Sequence, residues 1–402
     1  MIVGITKETA PGETRVAITP AATAALIKSK LEVLIEAGAG ISADFEDAAY
    51  TAKGARLADR KTVLASADIL LQIRAIAPDR QADYANLKPG CVIAALCDPL
   101  GTPKDSAEIA SMGFSLISME LIPRITRAQS MDVLSSQANI AGYKAVIMAA
   151  AASPRLFPMM MTAAGTIPPA KAFIIGAGVA GLQAIATAKR LGAVVSAFDV
   201  RAAVKEQVQS VGAKFVELPL ESGDGSDKGG YAKAISQEQQ QKQAALMAKV
   251  VAESDVIITT AAVPGKPAPK LIVKSAVERM QPGSVIVDLA AERGGNCELT
   301  VPGETIVHHR VTIIGCLNIP ATVPYHASAM FANNLVKLVA LLVDKEGKLN
   351  LDLADEVIAG CLVSHGGEVI HPRVREALNL PAVEAAPKVE IKPEPMTVGG
   401  AR

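Results

Sequence analysis

Residues 171–201 read KAFIIGAGVAGLQAIATAKRLGAVVSAFDVR: an apolar run, a glycine-rich turn, an alanine-rich helical pattern and a second apolar run. Gly176, Gly178 and Gly181 have the spacing G-x-G-x-x-G, and Asp199 ends the second run. The first glycine allows a tight turn, the second lets the backbone approach a pyrophosphate, and the third lets the helix pack closely. A βαβ unit that binds a dinucleotide is therefore predicted here.

Asp199 bears on which dinucleotide is bound. A carboxylate at this position is expected to accept hydrogen bonds from the ribose hydroxyls of the adenosine. It would repel a 2′-phosphate at about 4 Å by roughly 4 kcal/mol at an effective dielectric of 20, which favours NAD over NADP. Arg201 leaves an alternative open, because an arginine there can neutralise a 2′-phosphate, stack on adenine or pair with Asp199.

Short apolar runs alternate with helical stretches on both sides of this motif. Upstream, the first third of the chain alternates in the way expected of βαβ units. Residues 171–316 hold six strand candidates, the number that a full dinucleotide fold needs: KAFIIGAG, AVVSAFDV, AKFVEL, DVIITTAA, SVIVDLA and VTIIGC. We therefore predict an α/β protein with two Rossmann-like, doubly wound parallel-sheet domains joined by long helices.

Two long helical patterns suggest where the domains divide. One begins at Asp132, and the other begins near residue 327 and returns the chain to the first domain, which makes that domain discontinuous. The expected units are residues 1–135 plus 325–381, a dinucleotide-binding domain over 136–324, and a flexible tail over 382–402. A glycine-rich polar stretch predicts a mobile loop at about 222–234.

The composition argues against several classes of function. Forty basic residues balance forty acidic ones, so no net field attracts nucleic acid. The longest apolar runs are too short to cross a bilayer and the N-terminus lacks a targeting pattern, so we expect a cytoplasmic chain without membrane insertion. Five scattered cysteines and five histidines lack metal-site spacing, so buried free thiols and no metal are expected.

The polar stretch RITRAQSMD, residues 124–132, raises a chemical question because it holds no cysteine, histidine or lysine. Alcohol or amine oxidation releases a proton with the hydride, so ordinary NAD dehydrogenases need a proton-transferring side chain. Transfer between two nicotinamides moves a hydride alone and requires only that two C4 atoms be held about 3 to 3.5 Å apart. The stretch fits this second chemistry; the alternative is a solvated loop between a strand and a helix.

Five segments together resemble the NAD(H)-binding domain I of proton-translocating NAD(P) transhydrogenase. They are PRITRAQSMDVLSSQANIAGYKA, GAGVAGLQAIATAKRLGA, GGYAK, TTAAVPGKPAPKLI and GSVIVDLAAERGGNCE. The resemblance extends from KETAPGETRVAITP, at residues 7–20, to about Asn350. It implies a homodimer whose subunits bind NAD(H) and transfer hydride, with Re/Si specificity, to NADP(H) on a separate domain III of the beta subunit. Coupling to protons through a membrane domain II, and a peripheral place at the inner membrane through these partners, follow from the same resemblance.

The resemblance also implies roles for single residues. Arg124, Gln129 and Asp132 match the family's cleft loop, which positions the nicotinamide carboxamide, ribose and pyrophosphate, and they are the expected catalytic set. Gly230 and Tyr231 match the mobile loop that closes over bound nucleotide. The residues expected to contact NAD(H) are Arg124, Gln129, Ser130, Met131, Asp132, Ser135, Gly176, Gly178, Val179, Ala180, Gly181, Asp199, Val200, Arg201, Gly230, Tyr231 and Ala261.

Two alternative functions stay open at this point. Alanine dehydrogenase shares the segment at residues 7–20, but that family needs a lysine where this chain has Gln72 and a histidine near Cys97 and Asp98. Arg15 is then expected to hold the N-terminal strand rather than to clamp a substrate carboxylate. The other alternative is a module that senses NAD without turnover, against which the intact Arg–Gln–Asp loop argues.

Overall fold

The strands form two large sheets and one small hairpin in this computed structural model, which describes residues 1–78, 80–217, 246–262 and 265–382. In chain order the strands are β1 (Ile2–Ile5), β2 (Glu32–Glu36), β3 (Arg56–Ala58), β4 (Ile69–Arg74), β5 (Val92–Leu96), β6 (Ser115–Ser118), β7 (Met160–Thr162), β8 (Gly165–Ile167), β9 (Lys171–Ile175), β10 (Val194–Phe198), β11 (Lys214–Phe215), β12 (Val256–Thr259), β13 (Val285–Asp288), β14 (Thr305–His308), β15 (Val311–Gly315), β16 (Leu362–His365) and β17 (Glu368–Val369).

The helices lie between these strands. They are α1 (Pro20–Lys28), α2 (Asp47–Thr51), α3 (Arg60–Ser66), α4 (Arg80–Tyr84), α5 (Pro103–Ser111), α6 (Val133–Ala152), α7 (Val179–Arg190), α8 (Lys205–Ser210), α9 (Lys274–Val277), α10 (Pro324–Leu342), α11 (Glu356–Cys361) and α12 (Pro372–Ala377). Residues 246–252 are also helical. Within the described ranges, none of these helices combines the length and the apolar character that a bilayer crossing requires.

The first sheet has the strand order β17-β16-β6-β5-β4-β1-β2-β3. Strands β1 to β6 pair in parallel, whereas β16 and β17 add an antiparallel edge from the C-terminal part of the chain. Leu71 packs in one apolar core and Leu70 in another, which places cores on both faces of the sheet. The first domain is therefore doubly wound and discontinuous, as predicted.

The second sheet has the order β11-β10-β9-β12-β13-β15-β14. Its six parallel strands correspond to the six predicted runs. Cores again cover both faces, with Ile174 in one and Phe173 in the other. The antiparallel edge strand β14 was not predicted, because its four residues are exposed or half-buried and carry no strong apolar signal. The fold class is thus confirmed, while the exact domain boundaries stay a prediction.

The long helices α6 and α10 run between the domains and pack on each other. Ser136 Oγ on α6 donates to Asn334 Oδ1 on α10 at 2.7 Å, and Gln137 Nε2 donates to the Ala327 carbonyl at 3.2 Å. All five cysteines are buried and free, as the sequence predicted.

Candidate nucleotide-binding site

The glycine loop lies at the carboxyl end of β9. Gly176 has φ +94°, and a Cβ there would lie 2.5 Å from Thr260 Oγ1. A Cβ at Gly181 would lie 1.8 Å from the Gly176 carbonyl oxygen. Gly178 differs, since its φ is −75° and a Cβ would meet nothing within 4 Å. The first and third glycines are therefore required by packing, while the second borders open space at the point where a pyrophosphate is expected.

The first turn of α7 adjoins that open space. Gly178 is the N-cap residue of α7, and among the described residues no side chain accepts a hydrogen bond from this end of the helix. The first N–H groups of a helix have no partner within the helix, and they carry a partial positive charge. This end of α7, which includes Val179 and Ala180, therefore suits a bound anion such as a pyrophosphate.

Asp199 follows β10 and is buried beside the glycine loop. Its Oδ2 accepts hydrogen bonds from Ala177 N at 2.7 Å and Arg201 Nη2 at 2.9 Å, and its Oδ1 accepts from Arg201 N and Nε, both at 2.9 Å. Burial opposes ionisation of Asp199, but Arg201 and the backbone donors outweigh it and lower the pKa. Of the three roles suggested for Arg201, pairing with Asp199 is the one seen in the structure. Val200, between them in the sequence, is half-buried.

The segment with Arg124, Gln129 and Asp132 follows the carboxyl end of β6. Arg124, Gln129 and Ser130 are exposed, on and just before a 3-10 turn over Thr126–Met131. Met131 is buried in the core of the first domain, so it offers the site only its backbone.

Asp132 caps the N-terminus of α6. Its carboxylate accepts hydrogen bonds from Ser135 N at 2.9 Å and Ser135 Oγ at 2.6 Å. This capping joins two of the predicted site residues and fixes the direction in which the loop enters the helix. Sequence reasoning did not identify the capping role, although an aspartate immediately before a helical pattern is a usual signal for it.

Arg127, the second arginine of RITRAQSMD, is paired with a carboxylate from the C-terminal part of the chain. Arg127 donates to Asp355 from both terminal nitrogens, at 2.7 and 2.9 Å. Asp355 is in turn the N-cap residue of α11, so Arg127 ties the loop to the C-terminal part of the first domain. Arg127 is therefore a structural residue, which agrees with its absence from the predicted site.

Two residues that were not predicted, Asn296 and Asp288, shape the adjoining loops. Asn296 Oδ1 accepts from Ala261 N at 3.0 Å, and its Nδ2 donates to the Ala261 carbonyl at 2.8 Å. Asp288, fully buried, accepts from the hydroxyls of Thr259 and Thr300 at 2.9 and 2.6 Å. Because the backbone of Ala261 is already engaged by Asn296, its predicted contact with the nucleotide would be a packing contact. Both residues lie in the segment GSVIVDLAAERGGNCE, one of the five segments that carry the family resemblance.

A buried ion pair between Arg15 and Glu13 lies in the segment that follows the carboxyl end of β1. Arg15 is 3% exposed and donates to both oxygens of Glu13 at 2.7 Å, to Gln137 Oε1 at 2.9 Å and to Asn318 Oδ1 at 3.1 Å. Burial alone would raise the pKa of Glu13, but the hydrogen bonds and charge of Arg15 lower it to about 2. Arg15 therefore links Glu13 to α6 through Gln137 and to the loop after β15 through Asn318; that it holds the N-terminal strand stays a prediction.

Neither a lysine nor a histidine occupies the positions where alanine dehydrogenase requires these residues. Gln72, 5% exposed, donates to Thr6 Oγ1 at 3.3 Å and accepts from the Tyr84 hydroxyl at 3.1 Å. Burial raises the pKa of the Cys97 thiol well above its usual value, so this side chain is neutral. Glu8 lies nearby and accepts from Ile73 N at 2.6 Å, and burial raises its pKa to about 7.

Loops at the carboxyl edges of the two sheets are in contact. Arg293, which follows β13, donates from Nη2 to both oxygens of Asp98, which follows β5, at 2.6 Å each. Gly101 has no space for a side chain there, since a Cβ would lie 2.3 Å from Asp98 Oδ2 and 2.6 Å from Arg293 Nη1. That the glycine loop and the 124–132 segment bind one nucleotide together stays a prediction. Gly230, Tyr231 and the predicted loop at 222–234 lie outside the described residues.

Two family models match the chain. The N-terminal domain of alanine dehydrogenase/PNT matches residues 4–141, and the C-terminal domain of the same family matches residues 145–372. Together they span most of the chain and meet within α6.

Three known proteins illustrate the range of relatives. An NAD(P) transhydrogenase subunit alpha from Rhodospirillum rubrum is 47% identical over 377 residues, which cover 92% of this chain and 98% of that protein. The alanine dehydrogenase of Mycobacterium tuberculosis is 30% identical over 402 residues, covering 96% of this chain and 99% of that protein. A solved transhydrogenase structure from Sinorhizobium meliloti matches with a TM-score of 0.83 and 45% identity, over 92% of this chain and 100% of that one. The chain therefore belongs to the alanine dehydrogenase/PNT family of nicotinamide-nucleotide oxidoreductases, on the branch of the NAD(P) transhydrogenase alpha subunits.

Proposed function

We propose that this chain is the NAD(H)-binding subunit of a proton-translocating transhydrogenase and passes hydride, with Re/Si specificity, directly between NAD(H) and NADP(H) held by a partner subunit. The proposed nucleotide cleft lies between the carboxyl edges of the two sheets, and the observation that carries the proposal is the contrast between these edges. The second sheet has an open glycine loop, whereas at the first Arg15 is paired with Glu13 and Gln72 stands at the position of the required lysine. A dinucleotide can bind at the second edge, whereas a keto acid at the first lacks the free arginine and the lysine that alanine dehydrogenase requires.

The described residues fit NAD(H). A Cβ at Gly178 would fill the space beside the first turn of α7, so this space and the N–H groups there suit the pyrophosphate. Each oxygen of Asp199 already accepts two hydrogen bonds, so the ribose hydroxyls would replace bonds now made by Arg201. The ionised carboxylate favours NAD over NADP at this position.

On the nicotinamide side the chain acts by orientation. The bound cofactor supplies the hydride at C4 of its ring. Arg124 and Gln129, both exposed at the cleft, offer donors to the carboxamide and ribose, and Asp132 with Ser135 sets the direction of their loop. Holding two rings at reacting distance accounts for catalysis without a proton-transferring side chain.

The proposed partners are those that the family resemblance implies. NADP(H) must reach the exposed rim of the cleft from outside, which a domain III on a beta subunit would do, with domain II in the inner membrane coupling transfer to protons. A second copy of this chain is proposed to pack against the hairpin β7–β8, whose strand residues are all exposed. Met159 and Met161 there are 60% and 73% exposed, the kind of apolar surface that an interface covers.

Hydride exchange tests the proposal directly. The chain is mixed with a domain III preparation from a transhydrogenase, NADH and an oxidised NADP analogue, and reduction of the analogue is followed by absorbance. Exchange is expected, while alanine plus NAD should yield no NADH. The reverse pair of results would favour the alternative function, an alanine-dehydrogenase-like oxidoreductase, to which the 30% identity with such an enzyme gives some weight.

Asp132→Asn tests the assignment of the cleft loop. Asparagine still caps a helix, so stability should change by less than about 0.5 kcal/mol, while loss of the charge should slow hydride exchange more than it weakens NADH binding. Arg124→Ala should show the same split. Asp59→Asn, at the N-cap of α3, is the matched control and should leave exchange unchanged. Equal losses of rate and affinity in Asp132→Asn would remove this residue from the orienting set.

A further inference from the structure

Three side chains with metal-ligand chemistry converge at the end of the β14–β15 hairpin. His308 is the last residue of β14, and His309 and Arg310 form the turn before β15. Glu278 comes from a different element, since it caps the C-terminus of α9. The Gly283 N–H donates to the Arg310 carbonyl at 2.7 Å and anchors the turn to the loop before β13. This end of the hairpin lies at the amino end of β15, opposite the glycine loop.

The distances in this trio are close to those of a coordination sphere. His308 Nε2 lies 3.2 Å and His309 Nε2 3.9 Å from Glu278 Oε1, and the three ligand atoms all lie within 4.8 Å of one another. In a tetrahedral site with bonds of about 2.0–2.1 Å, neighbouring ligand atoms are about 3.3–3.4 Å apart. The His308–Glu278 pair already has that spacing. The two imidazole nitrogens, up to 4.8 Å apart, would have to approach each other by about 1.4 Å at most, and the 58% exposed side chain of His309 has room for that rotation.

The backbone supports a role for the second histidine. His309 has φ +48° and Arg310 has φ +61°, the left-handed region that side chains other than glycine and asparagine disfavour. Two-residue hairpin turns of this kind usually carry Asn-Gly. This hairpin instead places an imidazole in the strained position, where it stands 4.8 Å from the ring of His308, centroid to centroid. Backbone strain of this sort is often found at functional sites.

We propose that His308, His309 and Glu278 bind one divalent transition-metal ion of the Zn²⁺, Ni²⁺ or Cu²⁺ class. Two imidazole nitrogens and one carboxylate oxygen suit these borderline ions better than Mg²⁺ or Ca²⁺, which prefer oxygen ligands. Water completes the coordination, because Glu278 and His309 are exposed. Lys274 Nζ, 4.0 Å from Glu278 Oε1, competes with the ion for this carboxylate and limits the affinity.

A bound ion would pin the hairpin to α9. The edge strand β14 pairs with β15 alone among the described strands, and its Val307 is 69% exposed. A cross-link from His308 and His309 to Glu278 would hold that edge to the body of the second domain, far from hydride transfer. No local pattern predicted this site, because Glu278 is thirty positions from His308 and adjacent histidines are not a usual metal motif.

Zinc binding to the full chain, measured by isothermal titration calorimetry after removal of metals, tests the site. Wild type should bind one equivalent that His309→Asn and Glu278→Gln each weaken at least tenfold. Asparagine tolerates the left-handed turn, so His309→Asn removes the imidazole without adding strain. His365→Asn, a histidine outside the trio that contacts Ser115, is the control and should bind zinc within twofold of wild type.

Two further measurements make the outcome decisive. Zinc should raise the unfolding temperature of wild type and His365→Asn but not of His309→Asn. Hydride exchange without zinc should be equal in wild type and His309→Asn, which separates this inference from the proposed function. Absence of an equivalent of bound zinc in wild type, or unchanged affinity in both trio variants, would overturn the proposal.

Discussion

The carboxyl edges of the two sheets have the same strand architecture, but different residue types occupy them. The edge of the first sheet is filled by its own side chains, among them the Glu13–Arg15 pair and the Gln72–Tyr84 contact. The edge of the second sheet is lined by glycines, with open space at Gly178. One doubly wound domain therefore fills its edge with paired side chains, whereas the other leaves space at the position proposed for the pyrophosphate. Function resides in the side chains at the strand ends and not in the fold they share.

The largest expected effect is on stability, and it comes from removing the buried ion pair at the carboxyl edge of the first sheet. Arg15→Met would leave Glu13 buried without its main partner, and unpaired buried charges of this kind cost about 3–5 kcal/mol. Urea unfolding should show that loss of stability. Arg56→Met removes an exposed ion pair with Glu32 and should cost about 0–1 kcal/mol, which serves as the control. Equal losses in the two variants would mean that the buried pair does not hold the edge closed.

On the open edge, two glycines of one motif should respond differently to alanine. Gly181→Ala places a methyl group 1.8 Å from the Gly176 carbonyl and should cost about 1–3 kcal/mol of stability. Gly178→Ala meets open space, so folding should change by less than about 0.5 kcal/mol while NADH binding weakens by about tenfold or more. Chemical denaturation and NADH fluorescence titration measure the two effects. Unchanged NADH affinity in Gly178→Ala would show that the open space does not hold the pyrophosphate.

Glu8 gives the closed edge a pH dependence. Burial raises its pKa to about 7, so the folded chain retains a proton that the unfolded chain releases near 4.5. The contribution of Glu8 therefore favours folding below about pH 4.5 and declines as pH rises to about 7. One pKa unit corresponds to about 1.4 kcal/mol, and partial solvent access reduces the full effect to roughly 1–2 kcal/mol.

Glu8→Gln isolates this contribution, because glutamine does not titrate. The stability of the variant relative to wild type should rise between pH 5 and pH 8 when both are unfolded in urea. Glu13 acts in the opposite direction, since its pKa of about 2 means that its stabilisation is lost only below about pH 4.5. A stability difference between Glu8→Gln and wild type that does not vary with pH would contradict the assignment.

The smallest expected effect is on alanine oxidation. Gln72→Lys restores the lysine of alanine dehydrogenase, yet NADH formation from alanine and NAD should remain at background. Arg15 stays paired with Glu13, and Cys97 offers no imidazole. Retained hydride exchange would show that the variant is folded. If Gln72→Lys formed NADH from alanine and NAD, the carboxyl edge of the first sheet would have to admit a substrate despite its hydrogen bonds.

The strands were the most predictable part of the molecule. Buried parallel strands such as β5 and β9 are mostly apolar runs, so their presence could be predicted from local sequence. The edge strand β14 could not, because a half-solvated strand of four residues lacks that signal. The antiparallel return of β16 beside β6 depends on contacts between residues about 245 positions apart, which no local pattern specifies.

The conformation of the glycine loop was predictable from its spacing. The structure gives Gly176 and Gly181 a packing reason, whereas a Cβ at Gly178 would meet nothing within 4 Å, and the role of Gly178 in binding stays a prediction. The pairing of Asp199 with Arg201 was one of several options, and only the folded arrangement selects it. The roles of Asn296 and Asp288 depend on loops that come together in three dimensions, so residue type alone did not identify them.

The crossing of α6 over α7 has a mechanical consequence. A Cβ at Gly142 would lie 2.1 Å from the Ala180 carbonyl, so α6 rests directly on the backbone of the first turn of α7. Ten residues separate Gly142 from Asp132, about 15 Å of helix. One helix therefore connects the first turn of α7, where the pyrophosphate is proposed to bind, with the loop that Asp132 caps. The close contact at Gly142 fixes the position of these two regions relative to each other.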